Sequence, residues 1–171
     1  MPGFGQTVQV ADEFTRPANV TAYAAGDAVA AATTDTATTP LRALAVGRIF
    51  GGTGYITRLR LWTDQAANVA LFRVHFYKVA APTAAVVGDN EQMTLKYTNF
   101  LERIGHVDLP AMKTSTVATN STAAETGDLS LRMAFACAAA DRNLYYRIET
   151  LSVFVPASGQ KFYLEVGTEN N

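Results

Sequence analysis

The stretch YITRLRLWTD, Tyr55 to Asp64, sets Thr57, Leu59 and Leu61 on one side of an extended chain and Arg58, Arg60 and Trp62 on the other. Side chains of a β-strand alternate between two faces, so this rhythm predicts a strand with one dry and one wet face. The same period recurs from Val69 to Val79, where Ala70, Phe72, Val74 and Phe76 oppose Leu71, Arg73, His75 and Tyr77. LSLRMAFAC puts Leu129, Leu131, Met133, Phe135 and Cys137 on one side, and Leu144–Val155 and Lys161–Thr168 close the series. Weaker candidates are Glu13–Ala31 (broken at Pro17), Leu41–Phe50, Met93–Tyr97 and Arg103–Leu109. Only Asp64–Ala67 and Ala136–Leu144 suit even a single helical turn.

About eight to ten short strands separated by turn residues, without amphipathic helices, predict an all-β domain. Parallel strands need long crossovers, usually helical, which this sequence lacks, so the sheets are expected to be antiparallel. The expected architecture is a β-sandwich of jelly-roll topology, with an immunoglobulin-like Greek-key sandwich as the alternative. With 171 residues, one domain spanning residues 12–171 is expected, preceded by an extended N-terminal arm over residues 1–11.

A formal charge of −1 and the absence of a basic stripe argue against a nucleic-acid partner. No run approaches the roughly 20 apolar residues of a membrane helix, and MPGFGQTVQVADEF has neither the basic nor the apolar part of a signal peptide. Cys137 is the single cysteine, so an internal disulfide is impossible, and its apolar surroundings predict a buried thiol.

Reactive constellations are scarce. No serine lies in a Gly-x-Ser-x-Gly elbow, and the two histidines, His75 and His106, sit on separate strand candidates without a nucleophile in sequence reach. No catalytic or cofactor-binding residue is assigned. The nearest thing to a metal site is GDNE, Gly88 to Glu91, where Asp89, Asn90 and Glu91 could approach a calcium ion. Asp and Asn at such positions more commonly bond their own turn, and no metal ligand is assigned. GGTG, Gly51 to Gly54, lacks the Lys-Ser/Thr of a phosphate loop and reads as a hairpin turn. Exposed aromatics can stack on sugars, which makes Trp62 and Tyr77, with Tyr97 and Tyr145 behind them, candidate glycan contacts.

The order FTRPANVTAYAAGDAVA, GGTGYITRLRLWTDQAANVALFRVHFYKVAAP, GDNEQMTL, RIGHVDLP resembles a family of small virion proteins of tailed bacteriophages. The likeness covers roughly residues 14–109, with FRVHFYKVAAP…GDN its most specific part. It implies a capsid decoration or cement protein, made in the host bacterial cytoplasm and bound to the outside of the virion. It also implies the major capsid protein as partner, a homotrimeric state, and fibre attachment or glycan binding as the alternative. In that setting the arm, with Met1, Pro2, Phe4, Gln6, Val8 and Val10, and the loops at Thr33–Thr39 and Lys113–Thr126 are the expected contact elements.

Overall fold

The computed structural model describes residues 6–33, 41–67, 70–81, 87–95, 97–114 and 123–170. Its strands are β1 (Gln6–Thr15), β2 (Ala28–Val29), β3 (Arg42–Leu44), β4 (Thr53–Thr63), β5 (Phe72–Tyr77), β6 (Arg103–Asp108), β7 (Lys113–Thr114), β8 (Ala124–Glu125), β9 (Leu129–Ala136), β10 (Leu144–Thr150) and β11 (Lys161–Asn170). A 3-10 helix, Tyr97–Leu101, is the single helical element among the described residues.

The strands form two antiparallel sheets. The first runs β1-β11-β4-β9, and β8 and β7 extend it beside the C-terminal end of β4. The second runs from β2 and β3, successive partners along β10, through β5 to β6. Treating β2 and β3 as one interrupted strand and setting aside the two-residue β7 and β8 leaves two four-stranded sheets, and every connection but β5–β6 crosses between them. That is the double Greek key of a jelly roll. An immunoglobulin-type sandwich pairs its strands as ABED and CFG; here the first strand lies beside the last, β1 against β11 over their whole length.

The core is the set of inward positions that period two selects. Ile56, Leu59, Leu61, Phe162, Leu164 and Val166 from the first sheet meet Phe72, Val74, Phe76, Leu144, Tyr146 and Ile148 from the second. Each such side chain contributes about 1.5–3 kcal/mol on burial. Phe72 stands edge-on to both Phe162 and Phe154, which locks the two sheets at one end. The alternation in β4 is interrupted by a register shift between Ile56 and Arg58, so Ile56 and Leu59 both face the core and Thr57 does not. Gly54 is required by close approach, since a Cβ there would lie 2.2 Å from the carbonyl oxygen of Glu169.

Several expectations change. Residues 6–11 are not an arm: they are the first part of β1, paired from Gln6↔Asn170 onward. Removing residues 1–10 would therefore strip half of a sheet strand rather than leave the fold intact. Leu41–Phe50 yields a strand of three residues; beyond it the Gly47 N–H donates to the Arg142 carbonyl and the Gly52 N–H closes a turn on the Ile49 carbonyl. GGTG is not a hairpin turn: Gly51 lies in the turn between strands of different sheets, and Thr53 and Gly54 already belong to β4. Met93–Leu95 form no strand and Tyr97 opens the 3-10 helix, while the two expected helical turns are plain turns.

A buried polar cluster ties the loops to the sandwich. The side chains of Arg16 and Asp89 are fully buried and 3.0 Å apart. Arg16 Nε donates to Tyr23 Oη at 2.9 Å, and its Nη1 donates to the carbonyl oxygens of Asn19 and Ala157. The hydroxyl of Tyr23 donates to Asp89 Oδ1, which also receives the Ala30 N–H at 2.9 Å. Burial and the Asp89 charge push the Tyr23 hydroxyl far above the usual phenol range. Removing one member of a buried ion pair strands the other, at a cost of about 3–5 kcal/mol. Asp89→Ala is accordingly expected to lose about 3–5 kcal/mol in denaturant unfolding; a loss under about 1 kcal/mol, the level of an exposed pair, would show that the cluster is not a structural anchor.

Candidate assembly surfaces

The register divides the connections between two ends of the sandwich. Thr15, Thr63, Phe72, Thr150 and Lys161 lie at one end, so the β1–β2, β4–β5 and β10–β11 connections emerge there. The β3–β4, β5–β6 and β9–β10 connections emerge at the opposite end.

Both ends present apolar side chains to water. At the first end Val153 and Val155 are 70% and 66% exposed, with Val20 and Leu71 also exposed. Between them, Gln65, Ala67, Ala70, Ser152 and Phe154 complete a cleft of about 440 Å³. Phe154 turns inward against Tyr23, their ring centroids 4.7 Å apart, which fixes its two neighbours outward. At the opposite end Ile49 and Phe50 sit exposed on the β3–β4 turn, and the 3-10 helix exposes Tyr97, Phe100 and Leu101. Of these groups sequence reasoning singled out Tyr97 alone, although a signal existed for Val153 and Val155 as well. Continuing the inward parity of Leu144, Tyr146 and Ile148 through Phe154 leaves Val153 and Val155 on the wet side.

The outer face of the second sheet is polar and arranged in cross-strand rows. Glu149, Arg73 and Asp108 form one, Arg147, His75 and His106 the next, and Tyr145, Tyr77 and Arg103 the third. Asp108 accepts from Arg73 Nε at 2.5 Å and Nη2 at 2.9 Å, and this pairing holds its carboxyl below the usual range. His75 is 1% exposed, with Nε2 2.7 Å from Glu149 Oε2 and its ring 5.9 Å from that of His106. With Nε2–H donating to the carboxylate, Nδ1 carries the bare lone pair of the neutral ring, and it has no partner among the described residues.

Tyr77, a candidate sugar contact, is fully buried beside Leu41 and Tyr145. It cannot stack on a ligand. Its hydroxyl has no hydrogen-bond partner among the described residues, and burial pushes it up to about 12. Trp62 does lie on the outer face of the first sheet, as its phase predicts. Arg60 sits over its ring at 3.9 Å, and Tyr163 stacks on it at 5.1 Å. Both neighbours compete for the surface that a sugar would need. Tyr97 is exposed and Tyr145 is half-buried, its hydroxyl donating to Asp141.

The calcium reading of Gly88–Glu91 fails on geometry. The Asp89 carboxylate is filled by Arg16, Tyr23 and the Ala30 N–H, while Glu91 accepts from the Gly88 N–H at 2.9 Å. Among the described residues no group of three His, Cys, Asp or Glu could hold a metal ion. Cys137 is buried, as its apolar run predicts. Of the proposed contact residues, Met1, Pro2 and Phe4 lie outside the described residues, as do residues 34–40 and 115–122 of the two loops; Gln6, Val8 and Val10 belong to β1.

No protein-family model matches the chain, and no curated protein matches its sequence. Among solved structures, it is similar to a chain of the acid-stable capsid of Helicobacter pylori bacteriophage KHP30, at 12% identity over 98% of this chain and 90% of that one, with a TM-score of 0.35. It is also similar to the BFDV capsid protein crystallised as a 60-mer, at 10% identity over 98% and 93% of the two chains, with a TM-score of 0.31. Both are capsid proteins. Overlap this loose transfers no role; the jelly-roll assignment stands on the strand order itself.

The histidine row makes stability depend on pH. Burial, opposed by the Glu149 hydrogen bond and reinforced by Arg103, lowers the His75 value below that of a free imidazole. Below about pH 6.5 the unfolded chain takes up a proton that the folded chain refuses, so stability is full above that pH and falls as pH drops towards the folded value. His75→Gln keeps an N–H donor for Glu149 and removes the titration. Its unfolding free energy is expected to decline less between pH 7 and 5 than that of the wild type; parallel slopes would rule His75 out as the cause.

Proposed function

We propose that this chain is a virion structural protein, a capsid decoration or cement subunit that binds the major capsid protein on the outer surface and associates as a homotrimer. The observation that carries the reading is the exposure of large apolar side chains at both ends of a sandwich whose core is already complete. Val153, Val155, Ile49, Phe50, Tyr97 and Leu101 add nothing to that core. Grouped exposed apolar residues mark surfaces that are covered in the working assembly. Each such side chain contributes about 1.5–3 kcal/mol if fully buried by a neighbour.

The mechanism is mechanical. A rigid β-sandwich whose two ends bind different neighbours clamps them, and modest single contacts repeated around a particle sum to a tight attachment. The β10–β11 end, with its cleft between Val153 and Ala67, is the surface assigned to the capsid. The polar rows outside the second sheet keep that face wetted, and the low net charge lets copies pack closely without strong repulsion.

The test is co-sedimentation of the untagged protein with capsids that lack it, followed by heating of the loaded and bare particles. Saturable binding at a fixed ratio to capsid subunits and a raised temperature of genome release are expected. The double substitution Val153→Ser, Val155→Ser is expected to weaken binding about tenfold or more without lowering the melting temperature. Absence of saturable binding by the wild type would overturn the proposal.

A further inference from the structure

The long edge of the first sheet carries a second association surface. The other free edges of the sandwich are short or broken. β2, β3 and β7 have two or three residues, and the β6 and β9 pairings contain register shifts. β1 differs: its ten residues pair with β11 without a shift, and its first half, Gln6 to Ala11, has no charge and no proline. Native sheets blunt such edges with charges, prolines, bulges or short strands. Between Gln6 and Ala11 none of these devices is present.

The hydrogen bonds show which main-chain groups are free. In an antiparallel pair, residues alternate between bonding to the partner strand and turning away from it. The Arg16 N–H donates to the Gln160 carbonyl, one rung beyond the last pair, Thr15↔Lys161. Even-numbered residues of β1 therefore bond to β11, and odd-numbered residues turn N–H and C=O outward. Consistently, the Glu13 carbonyl is reached from outside by Arg42 Nη2 at 2.9 Å. Arg42 also binds the Asp12 carboxylate, so it closes the edge at that point. The outward groups of Thr7, Gln9 and Ala11 remain without a strand partner among the described residues.

We propose that this segment pairs with the same segment of a second copy, antiparallel about a two-fold axis at Gln9. The register Gln9 with Gln9 puts Thr7 opposite Ala11 of the partner copy and Ala11 opposite its Thr7, so every outward N–H meets a C=O. On the core-facing side the half-buried Val8 and Val10 oppose the partner's Val10 and Val8, continuing the apolar layer across the junction. Asp12 falls opposite an uncharged Gln6, so no like charges face each other. Slipping by one residue would oppose odd residues to even ones and lose the main-chain bonds. The occupant that fits every position is therefore another β1. The contact is separate from the capsid-binding surface and from the three-fold association proposed above; it would join two subunits belonging to neighbouring trimers.

The experiment uses the protein alone, without capsids, so its failure is independent of capsid binding. A Gln9→Cys side chain meets its own copy across the axis, with Cα atoms about 5.5 Å apart in a bonded antiparallel pair, inside the roughly 4.4–6.8 Å a disulfide spans. Mild oxidation is expected to give a disulfide-linked dimer with Gln9→Cys but not with Thr7→Cys, whose opposite residue is alanine. Cys137 is buried in both, and the wild type supplies the background. Gln9→Lys places two ammonium groups together at the axis. It is expected to weaken two-fold association in sedimentation velocity about tenfold or more, with an unchanged melting temperature. Equal cross-linking by the two cysteine variants, an unaffected Gln9→Lys, or a wild type without any two-fold association would each overturn the pairing.

Discussion

The ion pair between Arg16 and Asp89 holds together parts of the molecule that the sheets alone leave independent. Arg16 follows β1 in the first sheet, and Asp89 lies in the connection between β5 and β6 of the second. Between them the cluster also fixes Asn19, Tyr23, Ala30 and Ala157 through hydrogen bonds to side chains or backbone. A jelly roll consists largely of crossings from one sheet to the other, and each crossing is a loop with polar backbone to satisfy. A guanidinium with five donors and a carboxylate with several lone pairs can satisfy many such groups from one buried point. The apolar core sets how the sheets face each other; the cluster sets where their connections go.

The two outer faces divide charge differently. On the first sheet, Arg58 pairs with Asp128 and Glu165, and Arg60 with Glu125, around the stacked Trp62 and Tyr163. On the second, the rows through Arg73, His75 and Tyr77 are packed so closely that His75 and Tyr77 are nearly inaccessible. Among the described residues, the large apolar groups left in water lie at the two ends of the sandwich.

Much of this was legible from residue order. The alternation in β4, β5, β9 and β11 predicted the strands and their buried sides, and together with the absence of helical period it predicted an antiparallel jelly roll. What escaped detection has physical causes. Asp12 occupies an inward position of β1, where it receives Arg42 and the Tyr146 hydroxyl at 2.8 Å, and this polar residue among Val8, Val10 and Phe14 disguises the strand. Tyr77 sits on the outward phase of β5 but is covered by Leu41 from a distant loop, which no local pattern reports. Arg16 and Asp89 are 73 positions apart, so their pairing has no signature in either neighbourhood. The exposed Val153 and Val155 could have been found by carrying parity past the end of β10.

The pairing of the first strand with the last has a consequence for how the molecule is made. Gln6 finds its neighbour only at Asn170. At roughly 5–20 residues per second, a chain of this length emerges over roughly 10–30 s, and for almost all of that time β1 has neither of its edges covered. The central strand β4 waits equally for β11. The sandwich cannot close as its parts appear; it closes only once β11 has emerged, in one late step dominated by contacts distant in sequence, the slow class of folding reaction.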